Sequence, residues 1–179
     1  MKRKSYICMI LVLLLGVLTS CQPEEQNNVQ PPPEVETDTV LIEAVASDSI
    51  ETGRMTKLRE FSVDLDLDNI EESIELYTAA QRNENGEMMW DDGQNWVLTV
   101  CDGDKSYPLL SQYVQLGVVH FMVSNSGTEQ MPDITVLLPT DSSFRMMSYA
   151  FDKEKGGYIE KLIYESKDDN WLYSSIPGY

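Results

Sequence analysis

Apolar and polar residues alternate along most of the chain after residue 55, with the spacing of β-strands rather than of helices. Ile74 and Leu76, for example, alternate with Glu75 and Tyr77, as in a strand that buries one face. Helical periodicity is weak throughout the same part of the chain. The pattern predicts about eight strands, at residues 58–63, 73–79, 95–101, 105–111, 116–124, 133–138, 144–151 and 157–165.

Short turn signals separate these strands, which favours antiparallel neighbours. Asp102 and Gly103 form a tight-hairpin signal between two of the predicted strands. The polar run 152–157, which ends in two glycines, marks a second hairpin. We therefore expect an all-β fold, a single antiparallel β-meander domain at residues 55–179, arranged as propeller-like blades, a sandwich or an open barrel.

The pattern before residue 55 predicts two segments that do not belong to this fold. Residues 1–20 combine the bases Lys2, Arg3 and Lys4 with a short apolar run, as in a secretory signal peptide. The apolar run is too short to cross a membrane as a helix. Residues 21–54 are acidic and proline-rich with few large apolar side chains, which is typical of a disordered tether. Within it, residues 40–50 are mildly apolar and could form a short helix.

The residues at the end of the signal segment read Leu18, Thr19, Ser20 and Cys21, and they resemble the bacterial lipobox. The resemblance implies that Cys21 is lipidated on its thiol and becomes the first residue of the mature chain. A second acyl chain makes membrane attachment stable where one chain is marginal. We therefore expect a lipoprotein anchored at the outer face of the bacterial cytoplasmic membrane. The alternative is an ordinary signal peptide with an incidental cysteine.

One acidic stretch is the only constellation that suggests chemistry. Asp64, Asp66 and Asp68 alternate along the chain, and acids recur at Glu72 and Glu75. Carboxylates at such spacing on a short loop can converge on one point, as Ca²⁺ requires. The alternative is a solvated acidic turn that binds nothing specific.

Residues 64–76 resemble the calcium loops of FG-GAP and VCBS-type β-propeller repeats. The ligands that this resemblance implies are the side chains of Asp64, Asp66, Asp68 and Glu72 and the carbonyl of Ile70. Leu67 and Asn69 stand where those loops have glycine. Asparagine tolerates a left-handed backbone, whereas leucine does not, so we expect strain at Leu67 and weak, structural Ca²⁺ binding.

The same residues also fit an EF-hand loop, with Glu75 at its twelfth position. EF-hands need flanking helices, and residues 73–77 have the pattern of a strand. We therefore favour the β-type loop and treat Glu75 as a substitute or outer ligand.

Charge excludes one class of partner. The chain has a net charge of −17, and from residue 55 onward 22 acids face 9 bases. Nucleic acids and anionic lipids bind through Lys and Arg, so nucleic acid is excluded as a partner.

Other reactive side chains offer little chemistry. Cys101 has no disulfide partner in the mature domain and follows a strand-like run, so we expect a buried thiol. His120 has apolar neighbours and is interpreted as a core or edge residue. The tryptophans at 90, 96 and 171 fit a core better than a sugar-binding face.

No nucleophile motif, zinc spacing, phosphate loop or dinucleotide fingerprint is present in the sequence. This favours a non-catalytic binding domain for a ligand, a cell-wall polymer or another exported protein. The alternative is an envelope hydrolase that acts on carbohydrate or peptide through Asp and Glu side chains. A deep cleft with two or more acids outside residues 64–75 would favour the hydrolase.

Overall fold

The computed structural model describes residues 39–125, 127 and 130–166, and this part of the chain is nearly all strand. The strands are β1 (Thr39–Glu43), β2 (Val45–Ala46), β3 (Thr56–Val63), β4 (Glu72–Thr78), β5 (Gln81–Arg82), β6 (Met88–Met89), β7 (Gly93–Asp102), β8 (Lys105–Gln115), β9 (His120–Ser124), β10 (Asp133–Pro139), β11 (Phe144–Asp152) and β12 (Gly157–Ser166). A single 3₁₀ turn, Ser47–Ser49, is the only helical element in the described ranges. None of the described residues forms a helix long and apolar enough to cross a membrane.

The strands form two five-stranded antiparallel sheets that do not close into a barrel. The first sheet has the order β1-β12-β11-β10-β9, and the second has the order β2-β8-β7-β4-β3. Strands β5 and β6 make a separate small hairpin. The all-β antiparallel prediction is confirmed, and of the arrangements considered the structure takes the sandwich.

The two sheets share one hydrophobic core. Strand β4 alternates strictly between buried and half-buried residues, with Ile74 and Leu76 inside, and strand β10 does the same with Ile134 and Val136. Such alternation is what one buried sheet face requires. Rings from both sheets meet in this core, for instance those of Tyr107 and Tyr158, whose centroids are 5.1 Å apart in an edge-to-face arrangement.

The predicted strands correspond to β3, β4 and β7–β12. The main difference lies at residues 116–119, which were predicted as strand but lie outside it. Leu116 has a φ of 46°, and within residues 116–119 the N–H of Val118 reaches the neighbouring strand β10 only at its last residue, where it donates to the carbonyl of Pro139. A positive φ interrupts an extended backbone, so strand β9 begins only at His120.

The boundary at residue 55 is corrected by the structure. Strand β1 pairs with β12, where Leu41 lies opposite Ile159, and β2 pairs with β8, where Val45 lies opposite Ser106. Residues 39–54 are therefore part of the fold and not of the tether. Ile42 and Ala44 pack against the core, but the exposed positions Val40, Leu41 and Val45 are apolar as well, so the sequence shows no apolar–polar alternation here. Residues 1–38, with the signal segment and Cys21, lie outside the described residues.

Candidate metal centre

The acidic loop joins β3 to β4, two neighbouring strands of the second sheet. The last pair of residues before the loop is Val63 of β3 opposite Glu72 of β4. The two ends of the loop are therefore adjacent. Leu65 lies within the acidic run, yet it is fully buried in the hydrophobic core. Its side chain therefore anchors the loop, and the flanking Asp64 and Asp66 are half-buried as a result.

The fold brings the four predicted side-chain ligands together. Asp64, Asp66, Asp68 and Glu72 each offer a carboxylate oxygen, and these oxygens all lie within 4.8 Å of one another. A set made only of carboxylate oxygens suits a hard cation such as Ca²⁺ or Mg²⁺ and not zinc or copper. The residues present therefore fit a metal ion of this type.

Backbone amides of the loop hold the aspartates in place. The carboxylate of Asp64 accepts from the N–H groups of Asp68 at 3.1 Å and Asn69 at 3.0 Å. Asp66 accepts a second bond from Asp68 N at 3.0 Å, and Asp68 itself accepts from Ile70 N at 2.7 Å. These bonds curl the chain around the carboxylates and hold them in position.

The loop takes a left-handed backbone at two positions. Leu67 has a φ of 61° and Asn69 a φ of 72°, and these are the positions at which the calcium loops have glycine. Asparagine visits this region readily, but for leucine the conformation costs roughly 1–2 kcal/mol. The strain expected at Leu67 is therefore confirmed. Its side chain is 40% exposed, so burial offsets little of the cost.

Burial and mutual repulsion act on two of the carboxyl groups. Burial raises the pKa of Glu72, and the negative charges of Asp66, Asp102 and Asp64 raise it further. The hydrogen bond from Leu65 N to Glu72 Oε2, at 2.6 Å, works in the opposite direction. Burial also raises the pKa of Asp66, followed by repulsion from Asp68. A bound cation would favour the ionised forms that this environment disfavours.

Asp102 is a neighbour of the cluster that the sequence did not reveal. Cys101 on β7 lies opposite Ser73 on β4, so the next residue of β7 comes beside Glu72. In the sequence Asp102 is separated from the loop by about thirty residues and has the ordinary role of a hairpin residue. Only the pairing of β4 with β7 links the two positions.

Glu75 is not brought into the cluster. It lies on the outer face of β4, because side chains alternate along the strand and Ile74 points into the core. Its carboxylate accepts from Lys57 Nζ at 2.6 Å and from the hydroxyl of Tyr77. Strands flank the loop on both sides, so the EF-hand alternative, which required Glu75 and helices, is not supported.

The remaining predicted ligand is the backbone carbonyl of Ile70. Ile70 is 63% exposed in the loop, and its role as a ligand stays a prediction.

The other reactive residues that the sequence singled out are placed as follows. Cys101 is half-buried, and burial raises the pKa of its thiol. His120 lies exposed on edge strand β9, as predicted for an edge residue. Trp96 is buried in the core and stacks on Trp90, whereas Trp171 lies outside the described residues.

Three clefts on the described part of the chain bear on the hydrolase alternative. One is lined by Asp141 as its single described acid, and another by Asp133. The third has no acid among its described lining residues. None of the three therefore brings together the pair of carboxyl groups that glycoside hydrolysis requires.

No family model, curated protein or solved structure matches the chain. The likeness of the acidic loop to FG-GAP and VCBS loops therefore rests on residues 64–76 alone. What the fold adds is local geometry: four converging carboxylates and a left-handed backbone at both positions normally held by glycine.

Proposed function

We propose that the protein is an exported lipoprotein, anchored at the outer face of the bacterial cytoplasmic membrane through Cys21. Its β-sandwich would be a non-catalytic binding domain for a ligand, a cell-wall polymer or another exported protein. The domain carries a weak structural Ca²⁺ site in the loop between β3 and β4. The observation that supports the site is the convergence of four carboxylates within 4.8 Å at the end of one hairpin.

The loop residues would hold the ion with oxygen atoms only. The side-chain ligands are Asp64, Asp66, Asp68 and Glu72, and the carbonyl of Ile70 would be a fifth ligand. A carboxylate has two oxygens, so the hydrogen bond from Leu65 to Glu72 leaves one oxygen for the ion. The ion would neutralise the cluster and tie edge strand β3 to β4, so its role is in folding.

Affinity is expected to be low. Extracellular calcium modules bind with Kd values of about 10⁻⁴ to 10⁻³ M, and strain at Leu67 pushes this loop toward the weak end. This affinity suits an exported protein, which meets free calcium outside the cell. The flexible geometry of Ca²⁺ coordination also suits a short loop better than the strict octahedron of Mg²⁺ does.

Calorimetric titration of the mature chain with Ca²⁺ and Mg²⁺ tests the metal site. We expect saturable Ca²⁺ binding at millimolar concentrations, weaker Mg²⁺ binding, and loss of both in Asp66→Asn. Asp141→Asn, which removes an exposed acid from another cleft, is the control and should bind like the parent. Equal loss in both variants would mean that the ion responds to net charge and not to the loop.

Mass analysis of protein from the membrane fraction tests the anchor. The proposal expects a chain that begins at Cys21 and carries two or three acyl chains, and it expects Cys21→Ser to leave the membrane fraction. A membrane-bound chain that still begins at Met1 with an unmodified Cys21 contradicts the proposal. Pull-down from cell envelope with the soluble domain then searches for the partner.

A further inference from the structure

A second site lies where the two sheets open toward solvent, and we call it the edge cleft. Its volume is about 420 Å³, which falls in the range of small-molecule pockets. It is lined by residues of β3 and β4, of the β5–β6 hairpin, and of the segment that enters β9. Apolar and aromatic side chains form most of the wall, including Leu58, Trp90, Trp96 and Phe121.

Two arginines are the charged groups of this cleft. Arg59 and Arg82 both line it, and no carboxylate is among its described lining residues. Within the described ranges neither arginine forms an ion pair. Each donates from Nη1 to a backbone carbonyl, Arg59 to that of Leu58 at 2.9 Å and Arg82 to that of Gly86 at 2.7 Å. A guanidinium has five N–H donors, so both keep donors for an external acceptor.

The absence of an acid is unusual for this chain, which has 30 acids and 13 bases. Lys57, two residues before Arg59, behaves in the ordinary way. Its ammonium group pairs with Glu60 at 3.1 Å and with Glu75 at 2.6 Å on the outer face of the sheet. The contrast shows that position, and not a shortage of acids, leaves Arg59 without an ion-pair partner among the described residues.

A β-bulge in β3 explains the position of Arg59. Lys57 lies opposite Tyr77, and after the bulge Arg59 lies opposite Leu76, so Leu58 is the extra residue. Leu76 is buried, which means that Arg59 faces the core side of the sheet. Regular pairing would have put Arg59 opposite Glu75 on the acidic outer face. The bulge thus moves a cation from a face with acids to a cleft without them.

The floor of the edge cleft contains a buried donor that lacks an acceptor. Trp96 is 1% exposed, and its buried Nε1 has no hydrogen-bond partner among the described residues. The ring stacks on that of Trp90, with centroids 5.9 Å apart and planes inclined by 14°. A buried N–H without an acceptor costs stability, and the resonance of this indole reports on any ligand that enters the cleft.

We propose that the edge cleft binds a small organic acid with a flat, apolar body. Its carboxylate lies with Arg59 and Arg82, because guanidinium groups bind carboxylates through paired hydrogen bonds. Its apolar body lies against Phe121 and Leu58, toward Trp96. This inference rests on the binding role proposed above and adds a ligand class to it, and it does not depend on calcium.

A pair of probes that differ only in charge tests the ligand class. The mature chain is titrated with 4-phenylbutyrate and with 4-phenyl-1-butanol, which have the same apolar body. Affinity is read from the indole N–H resonances in nitrogen-correlated spectra, where the signal of Trp96 is assigned with Trp96→Phe. We expect the acid to bind about tenfold more tightly than the alcohol and to shift the Trp96 resonance.

Matched variants assign the charge preference to the two arginines. Arg59→Gln and Arg82→Gln should each weaken binding of the acid by about three- to tenfold and leave binding of the alcohol unchanged. Lys161→Gln, an exposed change on β12 that removes the same charge, should bind the acid like the parent. Melting curves of all three variants confirm that the fold is retained.

Several outcomes overturn the proposal. These are equal affinity for the acid and the alcohol, an effect of Lys161→Gln as large as that of Arg59→Gln, and absence of any shift at millimolar probe. A chain shortened after Ser166 keeps the described lining residues and should bind the acid with unchanged affinity. If the shortened chain bound the acid much more tightly, residues 167–179 and not an external acid would be the natural occupant of the cleft. Each of these results leaves the calcium titration of the loop unaffected, so the two proposals fail separately.

Discussion

Side chains of opposite charge lie near the two ends of strand β3. Beyond its last residue, four carboxylates converge in the acidic loop, whereas near its first residues two arginines line the edge cleft. At the acidic end, backbone N–H groups of the loop hold the carboxylates. At the basic end, carbonyls accept one bond from each guanidinium.

The two ends differ in what holds the carboxylates, or the guanidinium groups, close to one another. The acidic loop is anchored by buried Leu65 and closes at the cost of backbone strain at Leu67, so the fold itself brings the carboxylates into repulsion. Two such charges about 5 Å apart repel by roughly 3 kcal/mol at an effective dielectric of 20. The arginines that line the cleft are exposed side chains, so solvent and salt screen the repulsion between them. We therefore expect changes at the acidic end to alter stability and changes at the basic end to alter ligand binding.

The largest effect is expected from loss of the loop anchor. Leu65→Ala should lower the free energy of unfolding by about 2–5 kcal/mol, because it leaves a cavity where a fully buried side chain was. Urea unfolding of the purified domain measures this. Leu67→Ala, in the same loop but exposed, is the control and should change stability by under about 1 kcal/mol. Similar losses in both variants would show that the loop is not anchored through Leu65.

Relief of backbone strain should have a smaller effect of opposite sign. Leu67→Gly should raise the free energy of unfolding by about 1 kcal/mol, since glycine adopts a φ of 61° without steric cost. Calcium affinity should rise with it, because less strain remains when the loop closes around the ion. Ile70→Gly, at an exposed position without a positive φ, should instead lose stability. The free energies of unfolding of Leu67→Gly and Ile70→Gly, measured in denaturant with and without calcium, check these two expectations.

The pH dependence should have the smallest effect. Burial holds the pKa of Glu72, and also that of Asp66, above the value in an unfolded chain. The folded state then binds more protons than the unfolded state, so this contribution to stability falls as pH rises through the acid range. In chelator, Glu72→Gln should melt slightly higher than the parent near neutral pH and show a weaker dependence on pH. The side-chain amide oxygen in the Glu72→Gln variant can still accept the hydrogen bond from Leu65 N.

Melting temperatures between pH 4 and pH 7 in chelator check this sign. Glu84→Gln, an exposed change in the β5–β6 turn, serves as the control for altered net charge. A parent melting temperature that rises with pH in chelator, to the same extent in Glu72→Gln, would contradict the sign derived from burial.

Much of this arrangement could be predicted from local sequence. The strict alternation around Ile74 and Leu76 predicted strand β4, and the spacing of the aspartates predicted their convergence. The same alternation places Glu75 outside, because residues one position apart on a strand point to opposite faces. Edge strands β1 and β2 could not be recognised, since their exposed positions, Val40, Leu41 and Val45, are apolar like the buried ones.

Features that depend on pairing between distant strands could not be predicted. Asp102 reaches Glu72 only because β7 pairs with β4 in one register. Arg59 faces the edge cleft only because a bulge shifts the pairing of β3 by one residue. A bulge changes the face of every residue beyond it, and nothing in the local sequence around Leu58 marks its position.

Thermal melting with calcium and with chelator tests the central claim most directly. At a calcium concentration ten times the Kd, binding adds about 1.4 kcal/mol to the free energy of unfolding. The parent should therefore melt several degrees higher in calcium than in chelator, and Asp66→Ala should melt at the same temperature in both. A parent melting temperature that millimolar calcium leaves unchanged would contradict the account and reduce the loop to a solvated acidic turn.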